Sequence, residues 1–316
     1  MANPTWNEIA TTTIDQRSRR IADNVSNNNA LLAELQMKKR IKPFSGGISI
    51  VEELSYQENA TYKRYSGYEQ LNVQPSDVFT AAEYSIKQSH MAITVNGLER
   101  LQNAGREQLI DLVASRIENA AQSMENNLSR DVYSDGTADG GKQMNGLAAL
   151  IPTAPNTCTV GGINRATHEY WRNKAKTAAV LSDVKTELEA MYVQLIRGTD
   201  MPHMAVVDND VYVALLSQLQ EQQRFQDDAT AKMGFKNLVF LGIPVILDGG
   251  HGGNAPSKRC YFINSKYLKY RPHSERNIMS TDLVKSYDQD AWVSSMFWAG
   301  NICMSNASLQ GVVQFA

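Results

Sequence analysis

Apolar residues recur at helical spacing from Leu98 through Leu101, Leu109, Leu112, Val113, Ile117, Ala120, Met124 and Leu128 to Val132, and this stretch constrains the fold most. Arg, Glu, Gln and Asn fill the positions between them. Asn96-Gly97 opens the stretch and Ser134-Asp135-Gly136 closes it. The spacing predicts a helix of about 35 residues, roughly 50 Å long at the usual rise per residue. That is about three times the mean globular helix. The heptad pattern is too loose for a coiled coil, and Gly105 weakens the early part. A one-faced helix of this length serves as a brace beneath a sheet.

Two segments before it cannot bury themselves. Up to about Lys42 the chain reads as polar helix, with Ile9, Ile14, Ile21 and Val25 as a sparse apolar stripe. Asn27-Asn28-Asn29 breaks that stripe and offers an N-cap to a short helix carrying Leu31, Leu32 and Leu35, which ends in Lys38-Lys39-Arg40. Such a segment is expected to lie as an arm across its own body or a neighbour. Strand character then runs from Ile48 to Leu54, followed by an aromatic, charged stretch to Leu71 with Tyr56, Tyr62, Tyr65 and Tyr68, and by a second strand region over residues 78–95. Together these read as a long β-hairpin that needs a partner surface, because an isolated two-stranded ribbon is marginal in water.

Beyond the helix the pattern turns α/β. Ser182 is a candidate cap for a helix over residues 183–196. Residues 204–208 read as a buried strand, 209–224 as a helix, and 238–247 as two short strands around a turn. A further strand is expected at 259–264, and the tail from Lys285 is strand-like, with Trp292 to Trp298 and a final Gly311-Val312-Val313-Gln314-Phe315.

Composition narrows the function classes. A net charge of −2 gives no support for strong nucleic-acid binding by the chain as a whole, and leaves little repulsion between identical copies. Cys158, Cys260 and Cys303 make neither a disulfide framework nor a CxxC metal pair, and read as reduced thiols. The first residues lack the blocks of a signal peptide, and no apolar run approaches the roughly 20 residues that span a bilayer. The expected setting is therefore the cytoplasm. No cofactor or metal is implied: His90, His168, His203, His251 and His273 are dispersed. The run Asp248-Gly249-Gly250-His251-Gly252-Gly253 lacks the phosphate-loop pattern and reads as a surface loop. Adjacent acids, Glu52-Glu53 and Asp227-Asp228, read as solvated charges.

The order of polar arm, hairpin, long helix, α/β lobe and returning strands resembles the tailed-phage major capsid proteins of the Hong Kong 97 type, over essentially the whole chain. Local wording carries it: Tyr65-Ser66-Gly67-Tyr68-Glu69 in the hairpin, then Gly146-Leu147, Gly161-Gly162-Ile163 with Trp171-Arg172-Asn173, and Gly242-Ile243-Pro244-Val245. Gln289-Asp290-Ala291 and Ala299-Gly300-Asn301 flank a closing strand in the same manner.

The resemblance implies an α+β capsid fold. Its N-arm would occupy residues 1–45, its E-loop hairpin with flanking P-domain strands 46–96, its spine helix 97–135, its A-domain 136–284, and its returning strands 285–316. It also implies a protein that is no enzyme and that assembles as hexamers and pentamers into an icosahedral shell around double-stranded DNA, in the virion. Partners would be other copies of the chain, a separate scaffolding protein and a portal, with a decoration protein as a further candidate. Candidate intersubunit contacts are the arm cluster Arg17, Arg19 and Arg20, for which contact with DNA inside the shell is an alternative and a solvated helix face the simpler account, and Glu52, Glu53, Tyr56, Tyr62, Lys63, Arg64, Tyr65 and Tyr68 of the hairpin. Cross-linking through the hairpin lysines Lys63 or Lys87 is not expected. Another virion protein, portal or tail, and an α/β enzyme built on about residues 135–285 are the alternatives.

Overall fold

The computed structural model describes residues 29–102, 106–219, 237–248 and 254–316. Helix α1 (Ala30–Met37) is capped by Asn29, whose side chain accepts from the amides of Leu31 and Leu32. Leu31, Leu32 and Leu35 are buried in the main core, and Ile41 and Phe44 make parallel bridges to Tyr270 and His273. The arm from Asn29 to Phe44 therefore lies across its own body.

Strands β1 (Ser49–Ser55) and β2 (Phe79–Ser85) form an antiparallel ribbon that shares no ladder with any other sheet. The strand character expected beyond Ser55 is not realised: residues 56–78 contain no strand. They hold too few aliphatics for a face of their own, and Gly67 and Pro75 interrupt any ladder. The chain leaves the ribbon at Ile86 and enters β3 (Lys87–Asn96), which belongs to the body sheet and not to the hairpin.

The expected single long helix is described as α2 (Gly97–Gln102) and α3 (Arg106–Asp131) on either side of residues 103–105, which lie outside the described residues. Helix α3 packs on β3, and Ile117, Ala120, Met124 and Leu128 are buried there. The two glycines of the turn between β4 (Thr159–Val160) and β5 (Ile163–Asn164) have φ of 59° and 76°, as a tight hairpin turn of this kind requires.

The lobe is a six-stranded sheet in the order β6, β14, β10, β7, β9, β8. Its strands are β6 (Lys174–Ala179), β7 (Met204–Val207), β8 (Asn237–Phe240), β9 (Ile243–Leu247), β10 (Arg259–Ile263) and β14 (Gly311–Phe315). Helices α4 (Val184–Gln194) and α5 (Asn209–Gln218) cover one face. Alternation assigns the sides: Ala205, Val207, Cys260 and Phe262 pack with the helices, while Met204, Val206, Tyr261 and Ile263 join the main core. Both faces are covered, so these strands read as continuous apolar runs. Ser182 does not cap α4; the N-cap is Asp183, without a side-chain bond, and the Lys185 amide is taken by Gln218 of α5 at 3.0 Å. Asp208 caps α5 by accepting from the Val211 amide at 3.1 Å.

The body sheet centres on β13 (Ala291–Met304), flanked by β3 on one side and by β11 (Leu268–Ser280) and β12 (Val284–Lys285) on the other. Strand β11 was not expected from the sequence. Pro272 and the charges Lys269, Arg271, Glu275 and Arg276 mask its alternation, and its register slips between Pro272 and Asn277.

Candidate assembly surfaces

Period-two alternation in β1 puts Ile50, Glu52 and Leu54 on the buried face and Val51, Glu53 and Ser55 outside. Glu52, at 4% exposure, is thus carried inward with its aliphatic neighbours. Both carboxylate oxygens are engaged on β11: Lys269 Nζ donates to Oε2, and Arg271 donates to Oε1 at 2.8 Å. An ion pair this deep adds little net stability, but removing one partner strands the other charges and costs about 3–5 kcal/mol. Burial pushes the nearby Cys303 thiol well up, with the Glu52 charge adding to the effect.

The opposite strand is fastened as well. Tyr84 is buried and its hydroxyl bonds to Met304, and burial raises its phenol far above the ordinary value. The Glu83 amide donates to the Gly161 carbonyl at 2.9 Å. A Cβ on Gly161 would stand 2.8 Å from the Ala82 Cβ and 3.2 Å from the Tyr84 ring, so the β4–β5 turn can seat against the ribbon because that side chain is missing.

Arg165 holds that turn from below. It is fully buried and donates to the Asn173 side chain and to the Leu150 carbonyl, each at 2.8 Å. Burial lowers its pKa from the usual value. Trp171 Nε1 donates to the Val160 carbonyl at 2.8 Å. Gly146 lies so close to the end of α3 that a Cβ there would meet the Asp131 carbonyl oxygen at 2.4 Å. Gly161 thus meets the ribbon, Trp171 and Asn173 bond to the residues around its turn, and Gly146 packs against the end of α3. These contacts join residues that are not neighbours in sequence, so no local pattern announces them.

Beyond the ribbon the chain opens out. The Tyr56 amide donates to the Val78 carbonyl at 3.1 Å, closing the neck of the tip. Within the tip the ordering contacts are local and polar: Asn59 accepts from the Thr61 amide at 2.9 Å, and Lys63 pairs with Glu69 at 3.0 Å. Tyr62, Tyr65, Tyr68 and Val73 are 79%, 64%, 108% and 89% exposed. Among the described residues, eight of the nineteen exposed large hydrophobics lie between Ile48 and Phe79. Scattered single apolar residues are normal on a surface; here they are concentrated in one segment.

The sequence-derived candidates separate on this geometry. Tyr62, Lys63, Arg64, Tyr65 and Tyr68 share the exposed tip, and Glu53 faces outward on β1. Tyr56 is half-buried and turned to its own chain, its ring 5.4 Å from that of Tyr170. Glu52 is a correction to the reading of a solvated charge: strand parity turns it inward, where it is buried and meets Lys269 and Arg271 of its own subunit. Lys87 sits on β3 and donates to the Gly141 carbonyl, so it is no hairpin lysine. Arg17, Arg19 and Arg20, the acids Asp227-Asp228 and His251 lie outside the described residues. Among the described residues no group of three metal-ligating side chains comes together, and no helix is long and apolar enough to cross a membrane.

Several solved phage capsids share this fold. The cyanophage A-1(L) capsid asymmetric unit superposes with a TM-score of 0.67 at 15% identity, covering 87% of this chain and 90% of that one. The capsid of Myoviridae phage XM1 gives a TM-score of 0.55 at 11% identity, covering 89% and 92%. The capsid of an empty GTA particle gives 0.56 at 10% identity, covering 89% of each chain. No curated protein matches the chain in sequence. The family model described as SU10 major capsid protein matches residues 53–296, from the middle of β1 into β13. That match favours the shell-forming reading over a portal or tail protein and over an α/β enzyme. The chain belongs to the SU10 major capsid protein family.

Proposed function

We propose that this shell-forming capsid protein builds an icosahedral head from hexamers and pentamers around double-stranded phage DNA, with its hairpin tip as the main fastening to an adjacent subunit. The observation that carries this is the exposed tip of residues 57–77, which holds Tyr62, Tyr65 and Tyr68 away from its own core. Tyrosine buries a large area at small entropic cost and keeps a polar end, which suits a contact that is wet before assembly and packed after it. Lys63, Arg64 and Glu53 supply charge at the rim of that contact, and Arg17, Arg19 and Arg20 belong to an arm reaching a further neighbour.

In this reading residues 1–45 are the N-arm, 46–96 the E-loop with its flanking strands, 97–135 the spine, 136–284 the A-domain and 285–316 the returning strands. One face of the ribbon is packed on the body, which supports a contact carried outward from a seated base. Assembly takes place in the host cytoplasm with a separate scaffolding protein and a portal, a decoration protein being a further candidate partner, and the protein performs no catalysis.

The test is to express the chain with and without its phage's scaffolding protein and to image the product by negative-stain electron microscopy. Rings, shells or tubes are expected. A strictly monomeric protein under every condition would overturn the reading.

A further inference from the structure

The ribbon of β1 and β2 pairs with no third strand, so no backbone ladder fixes its angle to the body. Apart from the chain's run through Ile86 into β3, that angle is left to side chains and to one backbone bond from the β4–β5 turn. Of these contacts, the buried charged one is Glu52 on β1 gripping Lys269 and Arg271 on β11. Lys269 and Arg271 lie opposite Cys303 and Asn301 in the ladder with β13, the central strand of the body. The grip therefore reaches from the projecting ribbon to the strand next to the centre of the body sheet.

We infer that Glu52 is a positioning residue for assembly: its ion pairs to Lys269 and Arg271 set the direction in which the hairpin tip leaves the body. A buried charge tolerates displacement poorly, because any tilt that separates it from its partners leaves a charge unpaired in a low-dielectric site. The hydrophobic driving force is itself non-directional, so apolar burial defines the tilt less sharply than a paired charge does. Glu83, exposed on β2 of the same ribbon, has the same chemistry without the grip and is the natural control. A small error in tip direction would be repeated at every contact around a closed shell, so the expected result of losing the grip is loss of uniform closure.

The experiment uses the full chain in a Cys158→Ser background, with spin labels at exposed Ser66 in the tip and exposed Ala190 on α4. Glu52→Gln tests the grip directly. Because it leaves two buried cations behind, the triple variant Glu52→Leu, Lys269→Met, Arg271→Met is made alongside it; replacing all the charges by apolar groups of similar size commonly preserves folding. Expected is a single narrow label-to-label distance for the parent and Glu83→Gln, and a width at least doubled in the folded triple variant, which yields open or mixed-size particles. A folded triple variant with the parent's distance width overturns the inference, as does a parent whose distance is already broad. Uniform shells from a variant with a broadened distance overturn the link to closure. Closure rests on the capsid reading above, while the distance measurement does not. If the parent forms no shells but its distance is narrow and broadens in the variant, the positioning role stands and the capsid reading fails.

Discussion

Tyr84 donates its hydroxyl hydrogen to the Met304 carbonyl at 2.8 Å and accepts from the Met304 amide at 3.2 Å. The ladder between β13 and β3 has ended at Gly300 and Lys87 by this point, so one hydroxyl does for Met304 what a neighbouring strand would have done. It also ties the hairpin's return strand to the end of the body sheet. Tyr84→Phe keeps the ring and removes both bonds, leaving two buried backbone groups unpaired. The expected loss is about 1–3 kcal/mol in unfolding free energy, read by urea titration.

Gly161 and Gly162 both have positive φ, but a side chain at Gly161 meets the ribbon while one at Gly162 meets nothing within 4 Å. Gly162→Ala should cost about 1–2 kcal/mol for backbone strain alone. Gly161→Ala should cost about 1–3 kcal/mol more, from forcing the ribbon off its seat. Equal losses in chemical denaturation would show that the close approach carries no weight.

Asp248 at the end of β9 accepts from the hydroxyl of Tyr133, just past α3, and so joins the helix to the lobe. Burial holds its carboxyl above the ordinary 3.8, although bonds from Tyr133 and the Asn254 backbone pull the other way. The folded state therefore binds this proton more tightly than the unfolded state. Its stabilising effect is present at low pH and is lost as pH rises from 3.8 through the folded value. Asn does not titrate, so the stability of Asp248→Asn relative to the parent should improve as pH rises from about 3 to about 7. A difference that stays constant across that range would refute the assignment.

His203 behaves in the opposite sense. Burial lowers its pKa, with Lys38 and Arg40 at the end of the arm helix adding to the effect. Its contribution is complete above the ordinary 6.5 and is lost as pH falls towards the folded value. The parent should lose thermal stability between about pH 7 and about pH 5, and His203→Gln should lose less over the same interval.

Strand parity could have placed Glu52 from sequence alone. Ile50, Glu52 and Leu54 share one face, and two aliphatics around an acid in a strand point to a paired, buried charge. Reading Glu52-Glu53 as a unit hid that. Asn29 and the continuous apolar runs of β7 and β10 were legible because a cap and a buried strand are each written in a few adjacent residues, whereas the cap at Asp208 was read as part of the strand. Strand β11 was hidden because its polar side chains reach partners far away in sequence: Lys269 and Arg271 meet Glu52, and Arg276 lies over the Phe297 ring at 5.2 Å. The tip was legible as a segment unable to bury itself, though not as a strandless one, since tyrosine favours strands wherever a partner exists.

The central claim is that the tip of residues 57–77 serves other subunits and not its own. Because Tyr56 and Val78 are already hydrogen-bonded across the neck, those residues can be replaced by Asn-Gly to close a short hairpin. The most direct measurement pairs thermal unfolding of this variant with electron microscopy of its assembly products. The account predicts a melting temperature within a few degrees of the parent's and no closed shells. Shells matching the parent's in size and number would contradict it.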